Sequence, residues 1–417
     1  MTEEIKARIE SIQKGEVPDG YNRTRAGIMP TDWPTNFLAK NVFKSHTNKK
    51  HNGEYEVLSA TQDRGIIPRK EVDIDIKYDE ENISSYKKVE VGDFVISLRS
   101  FQGGIEYSKC EGLVSPAYTV LKATQSIDDN YYRAYFKTAA FIKRLNGAVY
   151  GIRDGKQIGF EDFGNLAIHY PPLTEQQKIA EVLSTCDRVI ELKQQLLDEK
   201  HKQKQWLMQI LLSSPTNIKE IKLSKLCSKI GDGDWIESKD QSESGIRLIQ
   251  TGNIGVGRYL DKGERAKFIS EDTFEKLHCT EVLEGDVLIS RLPDPIGRAC
   301  KIPTLQTKAI TAVDCTILRF KDKQVAEFFL QYATSTSYFN HISVLSGGST
   351  RTRVSRKEIE NLLIPVPQDA EKMEQIVTGL SILDKDIDLL LEELETWKHK
   401  KKALMQLLLT GLVRTNN

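Results

Sequence analysis

Two stretches of this chain carry apolar residues at heptad spacing. In the first, Ile179, Val182/Leu183, Cys186, Val189/Ile190, Leu196/Leu197, Leu207 and Ile210/Leu211 form a seam into which Lys193 and Lys200 intrude. In the second, Ile376, Leu380, Leu383, Ile387, Leu390, Leu394, Trp397, Leu404 and Leu408 do the same, with Lys401 in the seam. Thr174 and Gln177 stand at capping-box spacing and predict the start of the first helix, and Ser213-Ser214-Pro215 predicts its stop. Gly411 predicts the end of the second. Each helix should run nearly forty residues, roughly 55–60 Å at 1.5 Å per residue.

Elsewhere the pattern is mixed. Tyr55–Leu58, Phe94–Leu98 and Tyr118–Leu121 read as short strands between turn residues, with a helix around Tyr131 to Leu145. Arg247–Gln250, Asp286–Ser290 and Cys315–Arg319 repeat the strands, and Val325 to Tyr338 repeats the helix. Ile5, Ile9 and Ile12 form one stripe of a short N-terminal helix that ends by Gly15 and Pro18.

The two halves are the same unit written twice. Ile179, Leu183, Asp187, Ile190, Leu197 and Leu207-Met208-Gln209 return 197 positions later as Ile376, Leu380, Asp384, Ile387, Leu394 and Leu404-Met405-Gln406. Upstream, Gly92-Asp93 returns as Gly285-Asp286 and Asn165-Leu166 as Asn361-Leu362. So long a period means duplication of a whole globular unit plus a helix. The expected organisation is an N-terminal extension (1–30), a mixed domain (31–171), a long helix (172–214), a second mixed domain (215–367) and a second long helix (368–417). An exposed heptad seam needs a mate. Each helix either packs on its own domain or pairs with the other, and approximate two-fold symmetry makes that pair antiparallel. The fold class is then α+β: two similar α/β domains at the ends of a coiled-coil strut.

Composition describes an ordinary globular chain, 39% hydrophobic and 28% charged, with neither signal peptide nor membrane span, so a cytoplasmic location is expected. Six scattered cysteines with no CxxC pair imply reduced thiols and no zinc site. Formal net charge is zero, which leaves DNA binding to local fields. Catalytic signatures are missing. Gly151–Gln157 has one residue too few between its glycines for a phosphate loop and Gln157 where a hydroxyl belongs. Gly231-Asp232-Gly233-Asp234 lacks calcium-loop spacing and reads as a tight turn with some backbone approach to a ligand.

The order of elements resembles the specificity subunit of a type I restriction–modification system, over nearly the whole chain. Gly27-Ile28-Met29-Pro30-Thr31-Asp32-Trp33, Leu58-Ser59-Ala60-Thr61-Gln62 with Gly65-Ile66-Ile67-Pro68, the hinges Leu166–Gln177 and Asn361–Pro367, and Leu407–Gly411 carry the resemblance. The second hinge departs from it, with Gln368-Asp369-Ala370-Glu371 in place of a Pro-Leu-Thr-Glu-Gln-Gln pattern. The resemblance implies a non-catalytic subunit without cofactor of its own. Its two target-recognition domains would each read half of a bipartite site on double-stranded DNA. It would hold two modification (methyltransferase) subunits and recruit restriction (endonuclease and translocase) subunits. S-adenosylmethionine, ATP and Mg would serve those partners.

Base edges are read by Arg, Lys, Asn and Gln, while hydroxyls and amides hold phosphates. Polar residues on glycine-flanked loops are therefore the candidates. In the first domain they are Thr61, Gln62 and Arg64, then Arg99, Ser100 and Gln102, then Tyr150, Arg153 and Lys156. In the second they are Thr251 and Asn253, then Arg291 and Arg298, then Ser349, Thr350, Arg351 and Arg353. The competing reading, a coiled-coil protein-interaction scaffold that binds no DNA, explains the zero charge but not these loops.

Overall fold

The computed structural model describes residues 3–49, 51, 54–72, 80–148, 158–213, 218–346 and 352–415. It forms two compact units, one of residues 1–193 with 393–417 and the other of residues 194–392. Each unit thus combines one half of the mixed sequence with segments of both long helices.

In the first unit an antiparallel sheet runs in the order Phe43–Ser45, Thr119–Ala123, Phe94–Ile96, Glu106–Tyr107. Its core is aromatic. Phe43 lies edge-on to Phe94 and Tyr132, and Phe136 and Phe163 close the cluster. Such pairs add about 0.5–1.5 kcal/mol each beyond area burial. The expected single helix is two, Asp129–Tyr135 and Ala139–Ala148. Thr138 divides them, its hydroxyl donating to the Tyr135 carbonyl and accepting the Phe141 amide. Between Lys323–Tyr332 and Thr336–Leu345 two hydroxyls share the work: Thr334 donates to the Gln331 carbonyl, and Ser335 accepts the Tyr338 amide. A hydroxyl that satisfies one turn's carbonyl and the next turn's amide breaks a helix that hydrophobic periodicity alone would join.

The second unit repeats the sheet with the same order: Cys227–Asp232, Cys315–Phe320, Val287–Ser290, Ala299–Lys301. A further sheet, Gln241–Ser242, Lys267–Ile269, Ile246–Ile249, Ala309–Thr311, contains one parallel pair.

The long helices span Leu173–Ser213 and Ala370–Leu408. The first begins at Leu173, so Thr174 lies inside the first turn and does not cap it. The divergent second hinge supplies its own cap, because Asp369 accepts the amides of Glu371 and Lys372. Within the first unit the helices run antiparallel: Lys193 meets Glu393 at 2.6 Å and Asp187 meets Lys401. Within the second, Lys200 meets Asp386 at 2.8 Å and Lys204 meets Asp384 at 2.5 Å. The lysines that interrupt the heptads are thus cross-helix ion pairs. The helices also enter the cores. Ile179, Leu183, Leu408 and Leu409 pack into the first, and Met208, Ile376 and Leu380 into the second.

The chain's last turn closes on its N-terminal segment within the first unit. Tyr21 donates to the Gly411 carbonyl at 2.7 Å, and Arg414 bridges Asp32 and Glu175. Trp33 donates to Glu175 at 2.9 Å. Among the described residues no helix is long and apolar enough to cross a membrane.

Candidate nucleic-acid interface

In the first unit two candidate loops lie side by side. A hairpin of Leu58–Thr61 and Gly65–Pro68 turns through Gln62–Arg64. Thr61 holds this turn, donating to the Gly65 carbonyl at 3.0 Å and accepting the Arg64 amide at 3.2 Å. Arg64 donates to the Glu71 carbonyl at 3.1 Å. The second loop leaves strand Phe94–Ile96 and forms a single turn, Ser100–Gly103. Ser100 is buried and accepts the Ser97 amide, so it shapes the loop, while Arg99 and Gln102 are exposed. Contact comes through Gly103, where a Cβ would lie 2.6 Å from the Gln62 side chain. Lys137 donates to the Gln62 carbonyl at 3.3 Å and pairs with Glu106, whose carboxyl burial pushes up against the pull of that lysine. Gly104 fixes the loop's exit at φ +83°, with a Cβ position only 2.1 Å from the Phe136 carbonyl oxygen. No other residue fits there. Tyr150, Arg153 and Lys156 lie outside the described residues, as does the Gly151–Gln157 loop.

In the second unit the candidates form one connected network. Arg298 is buried and donates to four backbone carbonyls: Ile254 at 2.7 Å, Thr251 and Leu292 at 2.9 Å, and Pro295 at 3.0 Å. Asn253 is also buried, accepting the Gln250 amide and donating to the Leu260 carbonyl. Arg291 is buried, donating to the Val313 carbonyl and lying 3.3 Å from Asp232. Its amide donates to the Asp314 carbonyl, and Asp314 pairs with Arg353 at 2.9 Å. Arg353 is 43% exposed and offers its remaining donors outward. Ser349, Thr350 and Arg351 lie outside the described residues.

Burial thus sorts the candidates. Ser100, Asn253, Arg291 and Arg298 hold loop backbones, whereas Gln62, Arg99, Gln102 and Arg353 present side chains to solvent.

Loop chemistry did not single out three further residues, one in the first unit and two in the second. Arg356 reaches Asp232 at 3.5 Å, Lys137 sits beneath Gln62, and Trp235 is 71% exposed. The available signals were the basic run Arg353–Lys357 and a tryptophan next to a Gly-Asp turn. That turn's close approach is to the chain itself. A Cβ on Gly233 would meet the Thr311 carbonyl at 2.3 Å.

A model of the type I restriction modification DNA specificity domain matches this chain twice, over residues 36–199 and 215–396. The chain belongs to this family. It is 25% identical over 330 residues to the type I restriction enzyme MjaVIII specificity subunit of Methanocaldococcus jannaschii, covering 74% of this chain and 76% of that one. A putative MjaX specificity subunit of the same organism is 25% identical over 95% of this chain and 97% of its own. Among solved structures, the chain resembles one described as the basis of complex assembly and conformational transition of the type I R-M system. That match has a TM-score of 0.59 and 15% identity over 95% of this chain and 100% of that one. The S subunit of a type I restriction–modification system from M. genitalium matches with a TM-score of 0.54 and 14% identity over 92% of this chain and 98% of its own. These structural matches share the fold: paired mixed domains with long helices.

Proposed function

We propose that this chain is the non-catalytic DNA-reading subunit of a type I restriction–modification complex. Each recognition domain reads one half of an asymmetric bipartite site. The observation that carries the reading is the recurrence, in both units, of loop backbones held from within beside polar side chains that face outward. Gln62, Arg99 and Gln102 face outward in the first unit; in the second, Arg353, on the segment before helix Arg356–Asn361, pairs with Asp314 and faces outward. Rigid loops with free amide and guanidinium groups are what base-edge readout needs. The loops differ in sequence, so the half-sites differ.

The long helices set the gap between half-sites and dock two modification subunits. Support comes from apolar side chains that the helices leave uncovered: Leu192 in the first unit, and Leu196, Trp206 at 62% exposure, Ile210, Ile382 and Leu389 in the second. Aromatic residues of this kind anchor protein interfaces. A restriction subunit joins the same complex. S-adenosylmethionine, ATP and Mg act in the partners, and this chain binds none of them.

The test is reconstitution with the modification (methyltransferase) subunit of its own host, followed by mapping of methylated sites genome-wide. A two-part motif with a fixed gap is expected. Arg353→Ala should relax one half only, by roughly 1–3 kcal/mol of discrimination. Methylation without any motif, or a variant that relaxes both halves equally, would overturn the reading.

A further inference from the structure

The duplication supplies an internal control for one cluster in the first unit. Ser45 stands opposite Leu121 and Phe94 opposite the same residue, while in the second unit Ile230 and Val287 both stand opposite Leu318. By register, His46, Asp93 and Lys122 therefore correspond to Gly231, Asp286 and Arg319, and Glu90 corresponds to Leu283. The turn is the same in both units: the Glu90 amide donates to Asp93 Oδ2 at 2.8 Å, and the Leu283 amide to Asp286 Oδ2 at 2.8 Å.

The charges are handled differently. In the second unit Arg319 grips both oxygens of the buried Asp286, at 2.8 and 2.7 Å, and the site is neutral and complete. In the first unit the corresponding Lys122 is spent on Glu90 at 2.5 Å. Asp93, only 1% exposed, is left with one unbalanced negative charge in the cluster. Two new ligand types have appeared beside it, His46 and Glu90. One nitrogen or carboxylate oxygen from each of His46, Glu90 and Asp93 lies within 4.8 Å of the others. His46 Nε2 is shielded from solvent and has no hydrogen-bond partner in the chain. A histidine that stands beside two carboxylates and keeps an orphaned, shielded ring nitrogen is an unfinished arrangement.

We propose that His46, Glu90 and Asp93 bind a divalent first-row transition ion of the zinc type, with water in the fourth position. Imidazole with two carboxylates is a donor set for such ions and a poor one for magnesium. At ligand lengths of about 2.0–2.2 Å, tetrahedral donors stand about 3.4 Å apart, so side-chain rotations of roughly 1 Å close the cluster. The ion balances Glu90 and Asp93, and Lys122, already 43% exposed, returns to solvent. Its place in the fold gives the site a structural role. His46 follows strand Phe43–Ser45 and Asp93 precedes strand Phe94–Ile96, whose far end carries the Ser97–Gly104 loop. The ion pins the strand from the end opposite its reading loop.

The untagged full-length chain, stripped with a chelator, should retain one Zn2+ per chain after gel filtration with zinc, and its first unit should melt at higher temperature. His46→Gln, checked for fold by circular dichroism, should weaken binding roughly ten-fold or more. His399→Ala, which removes an exposed histidine elsewhere, should not. Lys122→Met removes the competing cation and should tighten binding. Substoichiometric zinc in the unaltered chain, unchanged binding in His46→Gln, or weaker binding in Lys122→Met would each overturn the proposal.

Discussion

Arg298 and Arg353 are both arginines on candidate reading loops, and the structure gives them opposite expected behaviour. Arg298 is buried, and its guanidinium serves four loop carbonyls, two at the Thr251–Ile254 turn and two in the loop after Ser290. A hydrogen bond to a charged group contributes about 1.5–3 kcal/mol net. Alanine at 298 removes all four donors, but some of the carbonyls rehydrate as the loops relax. The loss should then fall at about 3–5 kcal/mol, the range for breaking a buried charged network. For a unit of this size that is a drop of about 6–20 °C in melting temperature. Lysine at 298 cannot place donors in one plane toward four acceptors, and it should recover less than half of the loss. Arg353 pairs with Asp314 where both are partly exposed, so its alanine variant should cost under about 1 kcal/mol of stability. Calorimetry of each variant, alongside methylation mapping of the reconstituted complex, separates the two roles. Arg298→Ala should lose stability and second-half preference together, and Arg353→Ala preference alone. An Arg298→Ala protein that melts like the unaltered chain would refute the assignment of Arg298 to loop support.

Three further outcomes follow. Gly104→Ala should cost the first unit about 3 kcal/mol or more, because its φ of +83° suits glycine and the Phe136 carbonyl fills the Cβ position; thermal melting measures it. His169 is held to a pKa of about 4, chiefly by burial and further by Arg144, against the carbonyls of Leu409 and Ala26 that favour its charged form. Its folded value lies below the unfolded one, so its stabilisation is complete above about pH 6.5 and falls by up to about 3 kcal/mol as pH drops toward 4; His169→Gln should flatten that limb of a melting-temperature profile. Four residues inserted after Leu211 add about 6 Å of helix and a net turn of about 40°, so methylation mapping should find the same half-sites with a gap longer by one or two base pairs.

The long helices were legible because a heptad seam is a local, periodic signal that duplication prints twice, as with Ile179 and Ile376. What the seam lysines do was not legible, since Lys200 meets Asp386 and Lys401 meets Asp187 only after the chain has folded back on itself. The same limit applies to the loops. Glycine-flanked Arg, Asn and Gln pick out buried and exposed side chains alike, and Arg298 and Arg353 look the same in sequence. Only burial separates the arginine that caps carbonyls from the one that faces outward. The helix breaks at Thr138 and Ser335 were readable in principle, because each is a hydroxyl residue at a cap position within an apolar run. The His46–Glu90–Asp93 cluster was not, because strand pairing brings together residues that share no motif.

The division of the chain into units has a consequence for its synthesis. The second unit is one continuous stretch, residues 194–392, whereas the first needs residues 393–417. Leu404, Met405, Leu408, Leu409 and Val413 pack into a core whose other members lie before residue 184. The ribosome therefore finishes the second unit before it supplies the final pieces of the first. At roughly 5–20 residues per second, the N-terminal core stays open for about 10–40 s after most of its residues have emerged. During that interval Ile179 and Leu183 face water or a chaperone, and a message cut before the Leu404 codon would yield a chain whose earlier-made half is the one that fails.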